Sequence, residues 1–147
     1  MRHYFIFLIQ DEIARSYFGR ESKLYQLFLE ADNIGDYNMK QQINKQVEYI
    51  TKRIPVFKIG RRLELLLSHL SEYKCCNQIH MIEHPKKTSQ AQLELGTGRL
   101  SLKATGDYSA ETSFFEVLRQ IDDSFLAIDF KHHRFGWLKP IKNAHLI

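Results

Sequence analysis

The residues from Asp11 to Asp32 constrain the fold more than any other stretch of the chain. They follow an apolar run, Tyr4–Ile9, and their own apolar side chains recur at helical spacing. On one helix these side chains would cover an arc of about 200°, whereas a surface helix needs a stripe of only about 100°. Gly19 lies inside the stretch and favours two helical pieces. The pattern therefore predicts either burial on two sides or an apolar surface kept for a partner.

The rest of the pattern predicts an α+β fold, with a mixed or mostly antiparallel sheet packed with about four helices. The predicted strands are His3–Ile9, Val56–Ile59, Gln78–Glu83, Gln90–Leu95, Arg99–Ala104, Ser124–Phe130 and Arg134–Leu138, the last stopped by Pro140. The predicted later helices are Asn38–Lys52, Arg61–Tyr73 and Ser109–Ile121, the last capped by Ser109 or Asp107. A length of 147 residues indicates a single domain, residues 1–147.

The net charge of +4 is unevenly distributed along the chain. Residues 36–103 carry twelve basic and six acidic side chains, a net charge of +6, while the segments on either side carry −1 each. Five of the basic residues lie close together in sequence: Lys52, Arg53, Lys58, Arg61 and Arg62. Such a cluster is compatible with a solvated face, an acidic protein partner or nucleic acid. A small basic nucleic-acid-binding module is therefore the alternative function.

The cysteines, the histidines and the longest apolar run argue against several functional classes. Cys75 and Cys76 are neighbours that cannot form an ordinary bridge, which favours a reduced, cytoplasmic setting. His80 and His84 would lie about 13 Å apart on one face of a strand, too far for ligands that sit about 2 Å from one ion. The run Tyr4–Ile9 is too short to cross a membrane and lacks a secretory cleavage site.

No catalytic motif stands out in the sequence. Gly96 and Gly98 suit a hairpin turn, since no Lys-Ser/Thr pair and helix follow them, and neither a nucleophile elbow nor a His-Glu-x-x-His motif is present. We therefore predict no catalytic residues, no metal, no cofactor and no small-molecule substrate; a metal- or thiol-dependent enzyme is the third alternative.

Motifs spread over the chain resemble a known family, the sporulation inhibitor of replication family (SirA) of spore-forming bacteria. Near the N-terminus the resemblance is carried by Tyr17-Phe18-Gly19-Arg20-Glu21-Ser22. Further matches are Gln46, Tyr49-Ile50-Thr51, Ile54-Pro55, Gly106-Asp107-Tyr108, Ala110-Glu111-Thr112, Phe114–Arg119, Phe125-Leu126-Ala127, Asp129-Phe130, Gly136-Trp137-Leu138 and Pro140. The resemblance is weakest from Gly60 to Leu102.

The resemblance implies a non-enzymatic inhibitor that binds the N-terminal domain of the replication initiator DnaA as the cell commits to sporulation. The implied binding surface centres on the first helix and includes part of the next one. Carried over to this chain, it contains Ile13 and Tyr17, with Gln46 alongside. The resemblance leads us to expect an aromatic residue at position 13, where this chain has isoleucine. Direct binding of nucleic acid or membrane is not implied.

Overall fold

The computed structural model describes residues 1–33 and 35–139, which form an antiparallel sheet with helices on both faces. The strands are β1 (Arg2–Leu8), β2 (Tyr73–Cys76), β3 (Ile79–Glu83), β4 (Ser89–Glu94), β5 (Leu100–Gly106), β6 (Phe125–Asp129) and β7 (Arg134–Trp137). The helices are α1 (Asp11–Ser16), α2 (Glu21–Asn33), α3 (Tyr37–Ile50), α4 (Val56–Leu67) and α5 (Ser109–Ile121), with a 3₁₀ helix at Pro85–Lys87. The predicted α+β class is confirmed; Pro140, the predicted strand stop, lies outside the described residues.

Strand β1 lies inside the sheet, whose order is β2-β3-β4-β5-β1-β6-β7, and it pairs antiparallel with β5 and β6. Its alternate side chains enter two different cores. Ile6 and Leu8 pack beneath α4 and α5, whereas Phe7 packs beneath α2 and α3. A strand covered on both faces reads as an unbroken apolar run, which explains the pattern of Tyr4–Ile9.

The core on the α1–α3 side is small, and we call it the aromatic core. Its buried members are Phe7, Ile9, Leu24, Tyr25, Phe28, Ile50, Leu126 and Ile128. The rings of Phe7 and Phe28 stack with centroids 4.0 Å apart, and those of Tyr25 and Phe135 with centroids 5.0 Å apart. Because this core is built on β1, β6 and β7, it seats α1–α3 over one end of the sheet.

The predictions for residues 56–76 are partly wrong. Val56–Ile59 was predicted as a strand, but it forms the first turn of α4, which begins directly after Pro55. Proline is tolerated at the start of a helix, because the first backbone N–H groups of a helix have no intrahelical acceptor and the N–H that proline lacks is not needed there. The helix then ends at Leu67 rather than at Tyr73. Tyr73 instead pairs with Ile82 of β3, and this hairpin contact overrides the local helical preference.

Two side chains accept hydrogen bonds from the free backbone N–H groups at the start of α5. The carboxylate of Asp107 accepts a hydrogen bond from the Ser109 N–H, 2.9 Å. The hydroxyl of Ser89, a fully buried residue of β4, accepts one from the Ala110 N–H, 2.9 Å. Gly106 makes this approach possible: its φ is +81°, and a Cβ there would lie 2.2 Å from the carbonyl oxygen of Thr88. Asp107 and Ser89 therefore anchor α5 to the sheet.

Candidate functional site

Gly19 separates α1 from α2, so the apolar residues of Asp11–Asp32 lie on two helices with independent phases. Its φ is +83°, in the left-handed region that glycine adopts without a steric cost. The turn closes with a 2.7 Å hydrogen bond from the Arg20 N–H to the Tyr17 carbonyl. The predicted break is confirmed, and it leaves α1 as a helix of six residues ending in the turn Tyr17–Arg20.

The side chain of Glu21 holds this turn against the sheet. Its Oε2 accepts a 2.8 Å hydrogen bond from the Gly19 N–H and a 3.2 Å hydrogen bond from the indole N–H of Trp137 in β7. Burial acts to raise the pKa of the Glu21 carboxyl, but the backbone N–H donors of Glu21 and Gly19 and the Trp137 indole outweigh it, so that the pKa lies below its ordinary value. A charged Glu21 therefore fixes the position of α1.

Glu21→Gln tests the stabilising role of the Glu21 carboxylate through the pH dependence of the free energy of unfolding. A carboxyl with a lowered pKa in the folded state stabilises the fold above its unfolded pKa, and this contribution disappears as the pH falls through the folded pKa. We expect the substitution to reduce the free energy of unfolding by about 1 kcal/mol at pH 7, and by progressively less below about pH 4. Urea unfolding of wild type and variant at pH 7 and at pH 3 measures this change. Glu30→Gln, at an exposed position of α2, is the control, and an equal loss for Glu21→Gln at pH 7 and pH 3 would contradict the assignment.

Ile13 and Tyr17, the two predicted anchors, lie side by side at the surface of this helix and turn. Both are half-buried and pack against the edge of the aromatic core. Four residues apart, they share one helix face. The guanidinium of Arg20 lies 5.3 Å from the centroid of the Tyr17 ring, and Phe18 beside them is 43% exposed. Each anchor therefore has a fixed inner part and an outer part that water can reach.

The start of α1 is bonded to the end of α3, the helix that carries Gln46. The backbone N–H of Gln10 donates to the Ile50 carbonyl at 2.8 Å, and the Gln10 side-chain amide donates to the Thr51 carbonyl at 3.1 Å. Gln46 lies one turn before Ile50 and is exposed. The structure thus joins the start of α1, the helix of Ile13, to the end of α3, the helix of Gln46.

Tyr49 is a surface residue that the sequence did not assign to the site. It is 77% exposed on α3 and lines a shallow groove together with Ile13 and Arg15 of α1. In the helical pattern of α3, Tyr49 points away from the apolar stripe. This position predicts that Tyr49 is exposed, but it does not predict which helix lies beside it. We call the surface formed by these residues the candidate surface; its members are Ile13, Tyr17, Phe18, Gln46 and Tyr49.

Two other residues that the sequence singled out, His80 and Lys52, are in contact with neighbouring side chains. His80 is buried, with its Nδ1 2.6 Å from the Tyr73 hydroxyl and its Nε2 3.7 Å from the Cys75 sulfur. Lys52 of the basic cluster forms ion pairs with Asp11 at 3.0 Å and Asp122 at 3.3 Å. Within residues 1–33 and 35–139, no three metal-ligating side chains converge and no helix has the length and apolarity to cross a bilayer.

Aromatic and aliphatic side chains held at the surface by a braced turn, with a polar residue at their edge, are typical of a protein that acts by contacting another protein. The chain belongs to the SirA family: the family model described as "Sporulation inhibitor of replication protein SirA" matches residues 2–142. A relative with this same description, from Bacillus subtilis (strain 168), is 39% identical over 153 residues, which cover 99% of each chain. The predicted family is confirmed, and with it a regulatory role as a replication inhibitor.

Proposed function

We propose that this protein is a non-enzymatic, cytoplasmic inhibitor of chromosome replication initiation that binds the N-terminal domain of DnaA at the onset of sporulation. Family membership supports inhibition of replication, and the resemblance of the candidate surface supports DnaA as the partner. By covering a functional surface of DnaA, the protein blocks its self-assembly or its recruitment of the helicase at the origin. Nothing is turned over, and no cofactor takes part.

The half-burial of Ile13 and Tyr17 is the observation on which this proposal rests. Side chains sealed in the aromatic core could not reach a partner, and fully exposed ones would lose more rotamer freedom on binding. Held at their base by the aromatic core, they are pre-oriented, so that a partner has only to cover their outer parts. Gln46, which is exposed on α3, would add a hydrogen-bonding group of the kind that surrounds such anchors.

Isoleucine at position 13 makes this part of the proposed contact aliphatic instead of aromatic. Where the resemblance implies an aromatic ring, the shorter aliphatic side chain retains an apolar anchor and offers less area to a partner. Tyr49 borders the same groove as Ile13 and is largely exposed, so it supplies aromatic surface next to the smaller residue. We therefore place Tyr17 at the centre of the interface and the Ile13–Tyr49 groove at its edge.

The alternative of a nucleic-acid-binding module has weaker support from the geometry. One of its five cations, Lys52, already bridges Asp11 and Asp122. The remaining four lie on α4 or in the segment before it.

Isothermal titration calorimetry of the full chain with the isolated N-terminal domain of DnaA tests the proposal. We expect saturable binding that persists at moderate salt, because apolar anchors carry the contact. Duplex DNA in place of the DnaA domain is the comparison. Absence of binding to the domain, or binding to DNA alone with a steep salt dependence, would overturn the proposal.

A further inference from the structure

Helix α4 carries a second exposed apolar surface, which the function proposed above does not use. Phe57 is 82% exposed and Leu65 is 69% exposed. They are eight residues apart with Arg61 midway, so the three side chains lie along one line on the helix. The opposite side of α4 is fully engaged, because Ile59 and Leu63 are completely buried. Phe57 and Leu65 are therefore surplus to the packing of the helix.

The charge around this line is mainly positive, with Glu64 as the single acidic residue of α4. Arg53, Lys58 and Arg61 are exposed and Arg62 is half-buried, and none of the four has a carboxylate within ion-pair distance among the described residues. From Arg53 to Ser71 the sequence contains one acidic residue, Glu64. Large apolar side chains interleaved with unpaired cations favour an occupant with apolar groups flanked by carboxylates.

We propose that the outward face of α4, formed by Phe57, Lys58, Arg61 and Leu65, binds an acidic amphipathic segment of a partner protein. Helix-in-groove and helix-on-helix contacts use apolar anchors at this spacing. The cations of α4 would pair with the carboxylates that border the partner's apolar stripe, and Phe57 would be the main anchor because of its large exposed ring.

Other occupants match this face less well. Duplex DNA would use the cations but would leave Phe57 and Leu65 uncovered, since phosphate contacts are polar. A membrane-bound helix lies with a continuous apolar stripe in the bilayer, whereas the stripe of α4 is in the core and its two outward apolar residues are about 12 Å apart along the helix axis. A symmetric pair of copies would bring like charges together.

The α4 face and the candidate surface lie on opposite sides of the sheet. α4 packs on the core that contains Ile6 and Leu8, and α1 packs on the aromatic core. A partner on α4 therefore leaves Tyr17 uncovered, so the two surfaces can be occupied together. Under this proposal, a DnaA-bound molecule retains a free docking surface for a second, acidic protein.

The test uses the full chain and a fluorescein-labelled synthetic helical peptide whose leucine and phenylalanine stripe is flanked by glutamates. We expect fluorescence anisotropy to show saturable binding that weakens about tenfold in Phe57→Ala and by a similar factor in Arg61→Glu. The same peptide with lysines in place of glutamates is expected not to bind. Tyr37→Ala, which removes a 72% exposed aromatic side chain from α3, is the matched control and is expected to bind the peptide normally.

Several results would overturn the inference. These are absence of peptide binding, equal binding of the glutamate and lysine peptides, and equal affinities of wild type, Phe57→Ala and Arg61→Glu. Tighter binding to phosphatidylglycerol vesicles or to duplex DNA, or a dimer in sedimentation that Phe57→Ala dissociates, would assign the face to a different occupant. Circular dichroism checks that each variant is folded.

The test is separable from that of the DnaA proposal. Phe57→Ala is expected to retain binding to the DnaA domain, and Tyr17→Ala is expected to retain binding to the peptide. Loss of both ligands in either variant would contradict two independent surfaces.

Discussion

Tyr17→Ala is expected to weaken binding of the DnaA N-terminal domain by about 2 kcal/mol, a factor of about 30 in Kd. The substitution removes the central aromatic anchor of the candidate surface, the ring whose centroid lies 5.3 Å from the guanidinium of Arg20. Titration calorimetry of wild type and variant against the same DnaA domain measures the change. Because the ring also touches the edge of the aromatic core, we expect a smaller loss of folding stability, about 1 kcal/mol.

Two comparisons separate loss of contact from loss of fold. Tyr37→Ala, at an exposed tyrosine at the start of α3, is expected to leave DnaA binding unchanged. Glu21→Gln loosens the turn without removing an anchor, so it is expected to have a smaller effect on binding than Tyr17→Ala. Unchanged affinity in a folded Tyr17→Ala protein would remove Tyr17 from the interface.

Arg2→Met is expected to reduce the free energy of unfolding by about 3–5 kcal/mol, the largest effect on stability that we predict. The Glu111 side chain is only 1% exposed and its Oε1 is paired with the guanidinium of Arg2, while its Oε2 has no hydrogen-bond partner among the described residues. Removing Arg2 would leave a buried charge without its partner. Urea unfolding monitored by circular dichroism measures the loss.

The double variant Arg2→Met/Glu111→Leu isolates the cause. Without the carboxylate there is no unpaired charge, so we expect the double variant to recover most of the stability that the single variant loses. Arg119→Met is the control, because it breaks the more exposed pair with Glu116 and is expected to cost less than about 1 kcal/mol. Equal losses in the single and double variants would show that Arg2 acts through packing instead.

The sequence was informative wherever local pattern and burial agree. The bounds predicted for α5 were those found, because Phe114 and Leu118 recur at helical spacing and both are completely buried. The hairpin of β4 and β5 was found by its alternation, since one face packs on a core and the other is polar. The break at Gly19 could be predicted because only glycine adopts its left-handed φ without strain.

The sequence failed where tertiary or hairpin pairing overrides the local pattern. Tyr73 was predicted as the last residue of a helix, and it becomes the first residue of β2 because the neighbouring strand β3 offers it a hydrogen-bonding edge. The pairing of Glu111 could not be predicted, because its main partner, Arg2, lies 109 residues away in sequence. Tyr49 could be predicted to be exposed, but its place beside Ile13 depends on the hydrogen bonds from Gln10 to the end of α3.

By itself, then, the sequence determined helices α3 and α5, the β4–β5 hairpin, the buried strand β1 and the family, because periodicity, glycine conformation and ordered motifs are local properties of the chain. Only the tertiary structure decided that Ile13 and Tyr17 are half-buried, that Glu21 reaches Trp137, and that α4 exposes Phe57 and Leu65 on the opposite side of the sheet from α1. The physical reason is that exposure depends on what packs against a side chain, and those neighbours come from residues far away in sequence.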